Sequence, residues 1–334
     1  MPEAEVHNEG APAGEDEQQL ILRMVVEGKI TPEEGVRLLE ALAGQVEPRR
    51  GSQSEGGGFM GAGERFRDSL TRRGVFQGDG PWEVEVDAPN GRLRLMGSTG
   101  PGWETTIVTK VRARDEQAAR EKGSDLVKVD AGDRHLRISS PRVFGGGWAT
   151  DVLLRLPPGL YDVQGITANG NIEVRDLRCR EIRLRTSNGR IGVEEVRAEE
   201  VEMETANGAI TAGIAARQLL ATTSNGSIRV RPLAVERDTY QLSTSNGSIV
   251  VTCEDQEAGY RIDAASSWGK IKIDLPDLKQ VTHQRASGHS VVRVASPGFA
   301  GRPRQLDIRA RTSSGSVIVA GAEAAPHDSL TGRD

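Results

Sequence analysis

A four-residue turn, Thr-x-Asn-Gly with Ala or Ser at x, recurs through the C-terminal two thirds of the chain and constrains the fold more than any other feature. Five complete copies and three looser ones follow one another at intervals of 18 to 27 residues. A period of roughly 20 residues predicts a solenoid or another repeat array, in which stacked units share one core. The glycines of these turns are Gly170, Gly189, Gly208, Gly226, Gly247, Gly269, Gly288 and Gly315.

Apolar and polar residues alternate on both sides of each turn. In the second copy, Ile182 and Leu184 precede the turn, and Ile191 and Val193 follow it. This alternation is typical of a β-strand with one buried face. Charged residues at the intervening positions keep the other face in water. The sequence therefore predicts a mainly β fold with a thin core.

Two geometries fit an Asn-Gly turn between such strands. Asn and Gly both tolerate positive φ, so the turn suits either a meander of type I′ hairpins or the corner of a β-solenoid. In a solenoid, equivalent positions stack about 4.8 Å apart. A stacked row of Thr and Asn can hydrogen-bond along itself, whereas a hairpin gives no reason for a Thr two residues before the Asn. We expect a β-solenoid or β-helix-like array with coils of about 19–22 residues, and the meander stays open as the alternative.

The residues expected to shape the corners form one set, and an earlier Asn-Gly pair at 90–91 joins it. We expect each of them to serve structure and not catalysis, because Asn and Gly bend the chain at low steric cost. The set is Asn90, Gly91, Asn169, Gly170, Asn188, Gly189, Asn207, Gly208, Asn225, Gly226, Asn246, Gly247, Gly269 and Gly315.

The solenoid also predicts the state of the two cysteines. Cys179 and Cys253 would lie about four coils apart. At the strand spacing this is roughly 19 Å, well beyond the Cα separation of about 7 Å that a disulfide allows. We expect two free thiols, as in a reducing compartment.

Composition divides the rest of the chain into segments. An acidic, polar leader comes first, a Gly-rich stretch follows a short apolar segment, and alternation begins near residue 81. The expected division is 1–16 disordered leader, 17–44 helical hairpin, 45–80 Gly-rich flexible linker, 81–160 N-terminal β portion of the array, 161–320 Asn-Gly β-repeat array and 321–334 disordered tail.

The segment 17–44 has the signals of two short helices. Leu20 and Met24 share one face of the first helix. Thr31 is a suitable N-cap for the second helix, which presents Leu38 and Leu42. Two such helices bury too little surface to be stable alone. We therefore expect a protein partner to bind through Leu20, Met24, Leu38 and Leu42.

Within the Gly-rich stretch, residues 64–73 (ERFRDSLTRR) suggest a short basic helix. Phe66 and Leu70 would lie on one side of it and the arginines around them. Such a helix could make a peripheral contact with an anionic membrane, although a solvated linker also fits the composition.

Charge and hydropathy exclude some classes of function. The net charge of −5 gives no electrostatic reason to bind nucleic acid. No run of about 18 apolar residues is present, and residues 1–16 lack the pattern of a signal peptide. We expect a protein of the cytoplasm or of the membrane periphery, with no nucleic-acid partner.

No set of residues has the spacing of a catalytic or metal site. His283 and His289 are the only near pair among five histidines, and no Cys, Asp or Glu stands at ligand spacing around them. A β-helix hydrolase or lyase would need carboxylates converging on one groove. Glu173, Glu194, Glu195 and Glu204 qualify by number alone, and their mixture with Arg favours solvated charge. We expect no enzyme, cofactor or metal.

The chain resembles the bacterial "putative adhesin" β-strand-repeat family of unknown function, including its LiaX-like and YvlB-like branches. The resemblance rests on four segments in order: ILRMVVEGKITPEE at 21–34, VEVDAPNG at 84–91, VLLRLPPGLY at 152–161, and YRIDAASSWGKIKIDLP at 260–276. It implies a right-handed β-helix-like array preceded by a short helical-hairpin domain. For the LiaX-like branch it also implies a role in sensing or signalling cell-envelope stress, and it brings no catalytic residues.

Taken together, these patterns favour a non-catalytic scaffold or interaction protein, possibly in a bacterial envelope-stress response. The alternatives are a surface-displayed adhesin, a carbohydrate-active β-helix enzyme and a filament-forming scaffold. Self-association is possible because stacked coils leave open strand edges unless these are capped.

Overall fold

The computed structural model describes residues 64–113, 115, 117, 126–141, 148–282 and 289–322. The expected leader, the helical hairpin with Leu20, Met24, Leu38 and Leu42, and nearly all of the expected tail lie outside the described residues. The predictions for these segments stay predictions.

β-Strands dominate the described residues, and one 3-10 helix, Phe299–Gly301, interrupts them. The strands are β1 (Glu64–Gly74), β2 (Trp82–Asp87), β3 (Leu93–Gly97), β4 (Trp103–Ala113), β5 (Lys128–Ala131), β6 (His135–Ser139), β7 (Trp148–Leu156), β8 (Leu160–Asn169), β9 (Ile172–Arg175), β10 (Arg178–Asn188), β11 (Ile191–Asn207), β12 (Ile210–Asn225), β13 (Ile228–Pro232), β14 (Arg237–Asn246), β15 (Ile249–Cys253), β16 (Gly259–Trp268), β17 (Ile271–Leu275), β18 (Leu278–Thr282), β19 (Ser290–Ala295), β20 (Gln305–Ser314) and β21 (Val317–Gly321).

Parallel pairing between successive repeats distinguishes the two geometries that the sequence allows. β10 pairs with β11 in parallel, and Leu184 lies opposite Met203, Thr186 opposite Thr205. A hairpin meander would pair the strands flanking each turn in antiparallel fashion. Here those strands belong to different ladders, so each Asn-Gly turn is a corner. The mainly β, solenoid-like fold predicted from the sequence is confirmed.

Each coil contributes one strand before its Asn-Gly corner and one after it. We call the two resulting layers the leading sheet and the trailing sheet. Each coil also has a second corner, where the chain passes from the trailing sheet to the leading sheet of the next coil. The long strands β11 and β12 run through this second corner and contribute to both sheets. The leading sheet has the order β5-β6-β2-β8-β10-β11-β12-β14-β20-β16-β19. The trailing sheet has the order β1-β4-β7-β3-β9-β11-β12-β13-β15-β21-β17-β18.

The coils are not stacked in sequence order at either end. The first coil, β2 and β3, lies between β6–β7 and β8–β9. The last coil, β20 and β21, lies between β14–β15 and β16–β17. The expectation that Gly269 and Gly315 follow Gly247 in chain order is therefore wrong: along the stack, the order is Gly247, Gly315, Gly269.

Antiparallel strands close both ends of the parallel stack. At one end, β5 pairs with β6, and β4 and β1 extend the trailing sheet from β7. At the other end, β19 pairs with β16 and β18 with β17. These strands cover the edges that the regular coils would otherwise leave open, where another chain could add a strand.

The structure contradicts the helix expected at residues 64–73. This segment is strand β1, paired with β4 along all of its 11 residues, so the flexible linker expected at 45–80 includes an element of the array. A spacing of four residues places Phe66 and Leu70 on one face of a helix and also on one face of a strand. Pairing with β4 decides between them, and Leu70 packs against the core.

The core consists of stacked rows of apolar side chains between the two sheets. One row occupies the first inward position after the Asn-Gly corner, and every member is almost fully buried. Each such side chain stabilises the fold by about 2 kcal/mol through removal of apolar surface from water. The row comprises Leu93, Ile172, Ile191, Ile210, Ile228, Ile249, Val317 and Ile271.

Candidate interaction surface

The Thr of each turn bonds to the neighbouring coil. Its side chain is buried, and its Oγ1 donates a hydrogen bond to the glycine carbonyl of the preceding coil, at 3.0 Å from Thr186 to Gly170 and from Thr205 to Gly189. Ser266 repeats this contact with Gly315. The sequence predicts a Thr row that hydrogen-bonds along itself. The structure corrects the acceptor, which is a backbone carbonyl and not the next Thr.

The Asn side chains form a ladder on the outside of the same corner. Each Nδ2 donates to the Oδ1 of the Asn one coil earlier at 2.9 Å, from Asn169 to Asn90 and onward to Asn246. The ladder ends there because Ser314 and then Trp268 occupy the next two positions. The amides bond chiefly to one another, so this predicted set stabilises the stack.

Close stacking explains the glycines of the ladder, and Gly91, Gly247 and Gly315 also have positive φ of 150°, 159° and 153°. A Cβ on Gly208 would lie 1.9 Å from the carbonyl oxygen of Gly189, and the other ladder glycines from Gly170 to Gly269 meet equivalent clashes at 1.7–2.1 Å. The expectation of positive φ at Asn is wrong, since the described non-glycine residues with positive φ include no Asn. Glycine is required because consecutive coils touch there through their backbones.

The two cysteines are buried and free, as predicted. Burial raises the pKa of both the Cys179 and the Cys253 thiol to about 12. A thiol with such a pKa holds almost no thiolate at neutral pH.

The carboxylates proposed for a β-helix enzyme do not converge. Glu173 and Glu194 lie on the trailing sheet, Glu204 lies on the leading sheet, and Glu195 lies at the corner between the sheets. Each of them is ion-paired with an arginine. The groove that a hydrolase would need is not formed by these residues.

A different groove does collect carboxylates that the sequence analysis did not single out. It has a volume of about 500 Å³ on the leading sheet near β2, β6, β8 and β10. Three of its five carboxylates contact an arginine: Glu85 with Arg137 at 2.9 Å, Asp162 with Arg180, and Glu181 with Arg183. A fourth, Asp130, lies 3.5 Å from His135 Nε2. The fifth is Glu83.

The chemistry of this groove is that of an ion-paired surface. Hydrogen bonding to Asp162 raises the pKa of the Arg180 guanidinium, which keeps that pair charged. Among the described residues, no group of three or more His, Cys, Asp or Glu side chains is arranged to hold a metal ion. Of the histidine pair, His289 lies 2.7 Å from the Ser267 hydroxyl through Nδ1, and His283 lies outside the described residues.

The outward side of the leading sheet, which we call the leading face, changes character along the stack. Three rows of side chains run across eight strands from β8 to β19, in the order β8, β10, β11, β12, β14, β20, β16, β19. The rows are Asp162, Glu181, Glu200, Gln218, Thr239, Asp307, Arg261, Ala295; then Gln164, Arg183, Glu202, Leu220, Gln241, Arg309, Asp263, Arg293; then Ile166, Arg185, Glu204, Thr222, Ser243, Arg311, Ala265, Val291.

This face is acidic at one end, uncharged in the middle and basic at the other end. Its first four strands carry five carboxylates and two guanidinium groups; its last four carry four guanidinium groups and two carboxylates. Leu220, with 43% of its surface exposed, lies in the uncharged middle. It borders a shallow groove of about 240 Å³.

The sequence analysis missed the exposed apolar residues. Trp268 is 69% exposed and Val291 is 49% exposed. Trp268 occupies the position that Asn has in the regular repeats. The replacement of Asn by Trp in this looser repeat could therefore have predicted an exposed aromatic side chain. Leu220 occupies an outward position of β12, where polar residues alternate with buried apolar ones. The adjacent pair Leu219 and Leu220 made this exception visible in the sequence.

Two family models match the chain. Residues 156–320, just under half of it, match "Toastrack DUF4097". Residues 16–45 match a SHOCT-like domain. No curated protein is significantly similar to the chain. Within the described residues, no helix is long and apolar enough to cross a membrane.

Several solved structures are similar over about three quarters of the chain. A putative adhesin from Bacteroides fragilis is 12% identical, with a TM-score of 0.39, over 75% of this chain and 97% of its own. A putative cell adhesion protein from Clostridium sporogenes is 9% identical, with a TM-score of 0.31, over 76% and 100%. A putative lipid binding protein from Parabacteroides distasonis is 12% identical, with a TM-score of 0.27, over 76% and 97%.

The family match and the observed fold agree on the repeat region. The matched segment begins at the end of β7 and ends within β21, so it spans the regular coils and the inserted last coil. Residues 156–320 are therefore similar in sequence to the Toastrack DUF4097 model over the regular coils.

Proposed function

We propose that this protein is a non-catalytic scaffold whose N-terminal segment recruits a protein partner, in a bacterial cell-envelope stress response. The observation that supports the scaffold is the corner ladder. Its Thr hydroxyls and Asn amides bond from coil to coil over six successive coils. A stack bonded in this way is rigid along its length and can hold attached segments at a fixed spacing.

The charged side chains support a binding role over a catalytic one. A general acid or base needs a carboxylate whose pKa is tuned and whose proton is available to a substrate. The carboxylates Glu85, Asp162 and Glu181 instead contact arginines. Such pairs suit recognition of a charged surface better than proton transfer.

The recruiting element in this proposal is the segment 17–44. Its match to a SHOCT-like domain marks it as a unit distinct from the array. The apolar residues Leu20, Met24, Leu38 and Leu42 are the proposed contact. The proposed site of action is the cytoplasm, in solution or at the membrane surface. The membrane contact at 64–73 has lost its supporting helix, so it is not part of this proposal.

Affinity capture tests the recruitment. The full chain, a chain lacking residues 1–44 and a full chain with Leu20→Asp and Met24→Asp would each be used to capture proteins from cell extract. Both altered chains should lose the same partners, because both remove the apolar contact. A matched control, Glu3→Lys and Glu5→Lys, changes charge in the leader and should keep them. Recovery of identical partners by all chains would refute the role of the hairpin.

Cell fractionation tests the location. The protein should be recovered with the cytoplasmic or peripheral membrane fraction. Recovery only outside the cell would instead support the surface-displayed adhesin and would contradict the proposed location.

A further inference from the structure

The leading face is complementary in charge to a second copy of itself. The two copies are related by a two-fold axis that lies between the faces, parallel to the strands and midway between β12 and β14. This axis brings β11 of one copy opposite β20 of the other, and β10 opposite β16. We propose that the protein forms a face-to-face homodimer through this face. The proposal does not depend on what the N-terminal segment recruits.

The charges support this arrangement position by position. In the middle row, Glu202 meets Arg309 of the second copy and Arg183 meets Asp263. In the outer rows, Glu204 meets Arg311, and Glu181 meets Arg261. The two-fold axis doubles each pair, so eight opposite-charge contacts form across the interface.

One like-charge pair remains in the arrangement, and the axis doubles it to two contacts. Glu200 meets Asp307, but Asp307 is only 7% exposed and receives two hydrogen bonds from Arg261. The Arg261 guanidinium is thus shared between Asp307 of its own chain and Glu181 of the second copy. Opposite charges at neighbouring positions outweigh these contacts.

The uncharged residues fit the same axis. Leu220 meets Gln241, Gln218 meets Thr239 and Thr222 meets Ser243, all on the two strands next to the axis. At the far end, Ile166 meets the exposed Val291. The centre therefore loses water without burying a lone charge, and the exposed Leu220 and Val291 both gain contacts.

The alternative axis in the plane of the face does not fit. A two-fold axis perpendicular to the strands, along the stack, would place each strand opposite the same strand of the second copy. It would place the row that begins with Asp162 opposite the row that begins with Ile166. It would place Glu200 opposite Glu204 on the same strand, with Glu202 opposite itself. Like charges in these positions would repel, so charge selects the first axis.

The area is adequate for a specific dimer. Eight strands at about 4.8 Å and three outward residues at about 6.8 Å cover roughly 700–800 Å² per copy. A standard interface buries about 800 Å² per partner. The 3-10 helix touches one edge of this face, where the Phe299 ring lies 5.0 Å from the Arg261 guanidinium.

Sedimentation and light scattering of the full chain test the dimer. The wild type should change from monomer to dimer across the micromolar range, and salt should weaken it because charge pairs contribute. Glu202→Arg should weaken association at least about tenfold, since the two-fold axis makes each reversal count twice. Glu194→Arg, the same change on the trailing sheet, should leave the dimer unchanged.

The decisive variant combines Glu202→Arg with Arg309→Glu. These residues lie three strands apart in one chain, about 14 Å, so they cannot pair within it. Each alone should weaken the dimer, and together they should restore it. If reversal impairs folding, Glu202→Gln and Arg309→Gln should each weaken the dimer without repulsion. A monomeric wild type, an oligomer other than a dimer, equal weakening by Glu194→Arg, or no restoration by the double variant would overturn the proposal.

Discussion

The two corners of each coil obey different rules. At the Asn-Gly corner, every regular coil has the same residues in the same register, held by hydrogen bonds of 2.9–3.0 Å between Asn amides and between Thr186, Thr205 or Thr223 and the coil before. At the opposite corner, which we call the return corner, Asp176 and Glu195 have left-handed backbones with φ of 55° and 52°. A buried apolar residue recurs there as Leu177, Val196 and Ile214, but the polar residues around it differ from coil to coil.

Between Gly170 and Gly247, differences in coil length fall at the return corner. The register shifts between Cys179 and Glu181 and between Glu194 and Val196 occur there. Residues 233–236 form an added loop between β13 and β14, while Thr223 and Thr244 remain in register. The repeated hydrogen bonds hold the Asn-Gly corner in one geometry, and the coils differ in length at the return corner. Three substitutions test this contrast.

The largest effect is expected for Gly208→Ala. The new Cβ would lie 1.9 Å from the Gly189 carbonyl oxygen, so the two coils must separate. We expect a loss of about 3–5 kcal/mol or failure to fold. The matched control is Gly192→Ala, whose nearest contact is 4.0 Å away. It should be neutral or stabilise by about 0.5–1 kcal/mol. Denaturant unfolding followed by circular dichroism measures both, and equal losses would show that stacking does not require the glycine.

A smaller effect is expected for Thr205→Val. The side chain keeps its shape but loses the hydroxyl that donates to Gly189. We expect a loss of about 1–2 kcal/mol, because a buried carbonyl loses a partner. Thr222→Val on the leading face should change stability by less than about 0.5 kcal/mol. The same unfolding measurement applies, and a harmless Thr205→Val would show that the hydroxyl contributes only packing.

The smallest effect is expected at the return corner, for Asp238→Asn. Burial raises the pKa of Asp238 to about 6, although its carboxylate accepts a hydrogen bond from the Glu236 amide. Because the folded-state pKa lies above the unfolded one, ionisation costs stability as pH rises from about 4 to 6. The Asn variant avoids this cost and should be more stable by about 1 kcal/mol above pH 6, after allowance for solvent screening.

Thermal unfolding at a series of pH values measures this difference. It should shrink as pH falls below 6 and vanish below about pH 4, where Asp238 is protonated in both the folded and the unfolded chain. A difference that does not depend on pH would show that folding does not shift the pKa of Asp238.

The same contrast explains which parts of the structure were predictable from the sequence. A contact that is repeated in each coil requires the same residue in each coil. The recurring Thr, Asn and Gly therefore predicted the position of the Asn-Gly corners. The order of the end coils was not predictable, because a strand such as β20 has the same alternation whichever neighbours it joins. The spacing of Phe66 and Leu70 fits helix and strand equally, and only pairing with β4 decides.

The candidate surface was less accessible to prediction than the corners. Outward residues such as Arg183 and Glu202 look like ordinary solvated charge when taken strand by strand. Their complementarity depends on the order of strands across the sheet, including the insertion of β20 between β14 and β16. The acidic-to-basic progression therefore becomes visible only once the fold is known.

The inserted end coils affect how the protein responds to force. In a simple stack, a pull on the chain end peels off the outermost coil, and one ladder breaks in each sheet. Here a pull at residue 321 acts on β20 and β21, each clamped between two neighbours, so two ladders per sheet must shear together. The first coil, β2 and β3, is clamped in the same way, but the edge strand β1 comes before it in the chain. A tether attached after residue 321 would thus grip the array by a coil that cannot unzip alone, whereas a pull from the N-terminal side would first load the single ladder between β1 and β4.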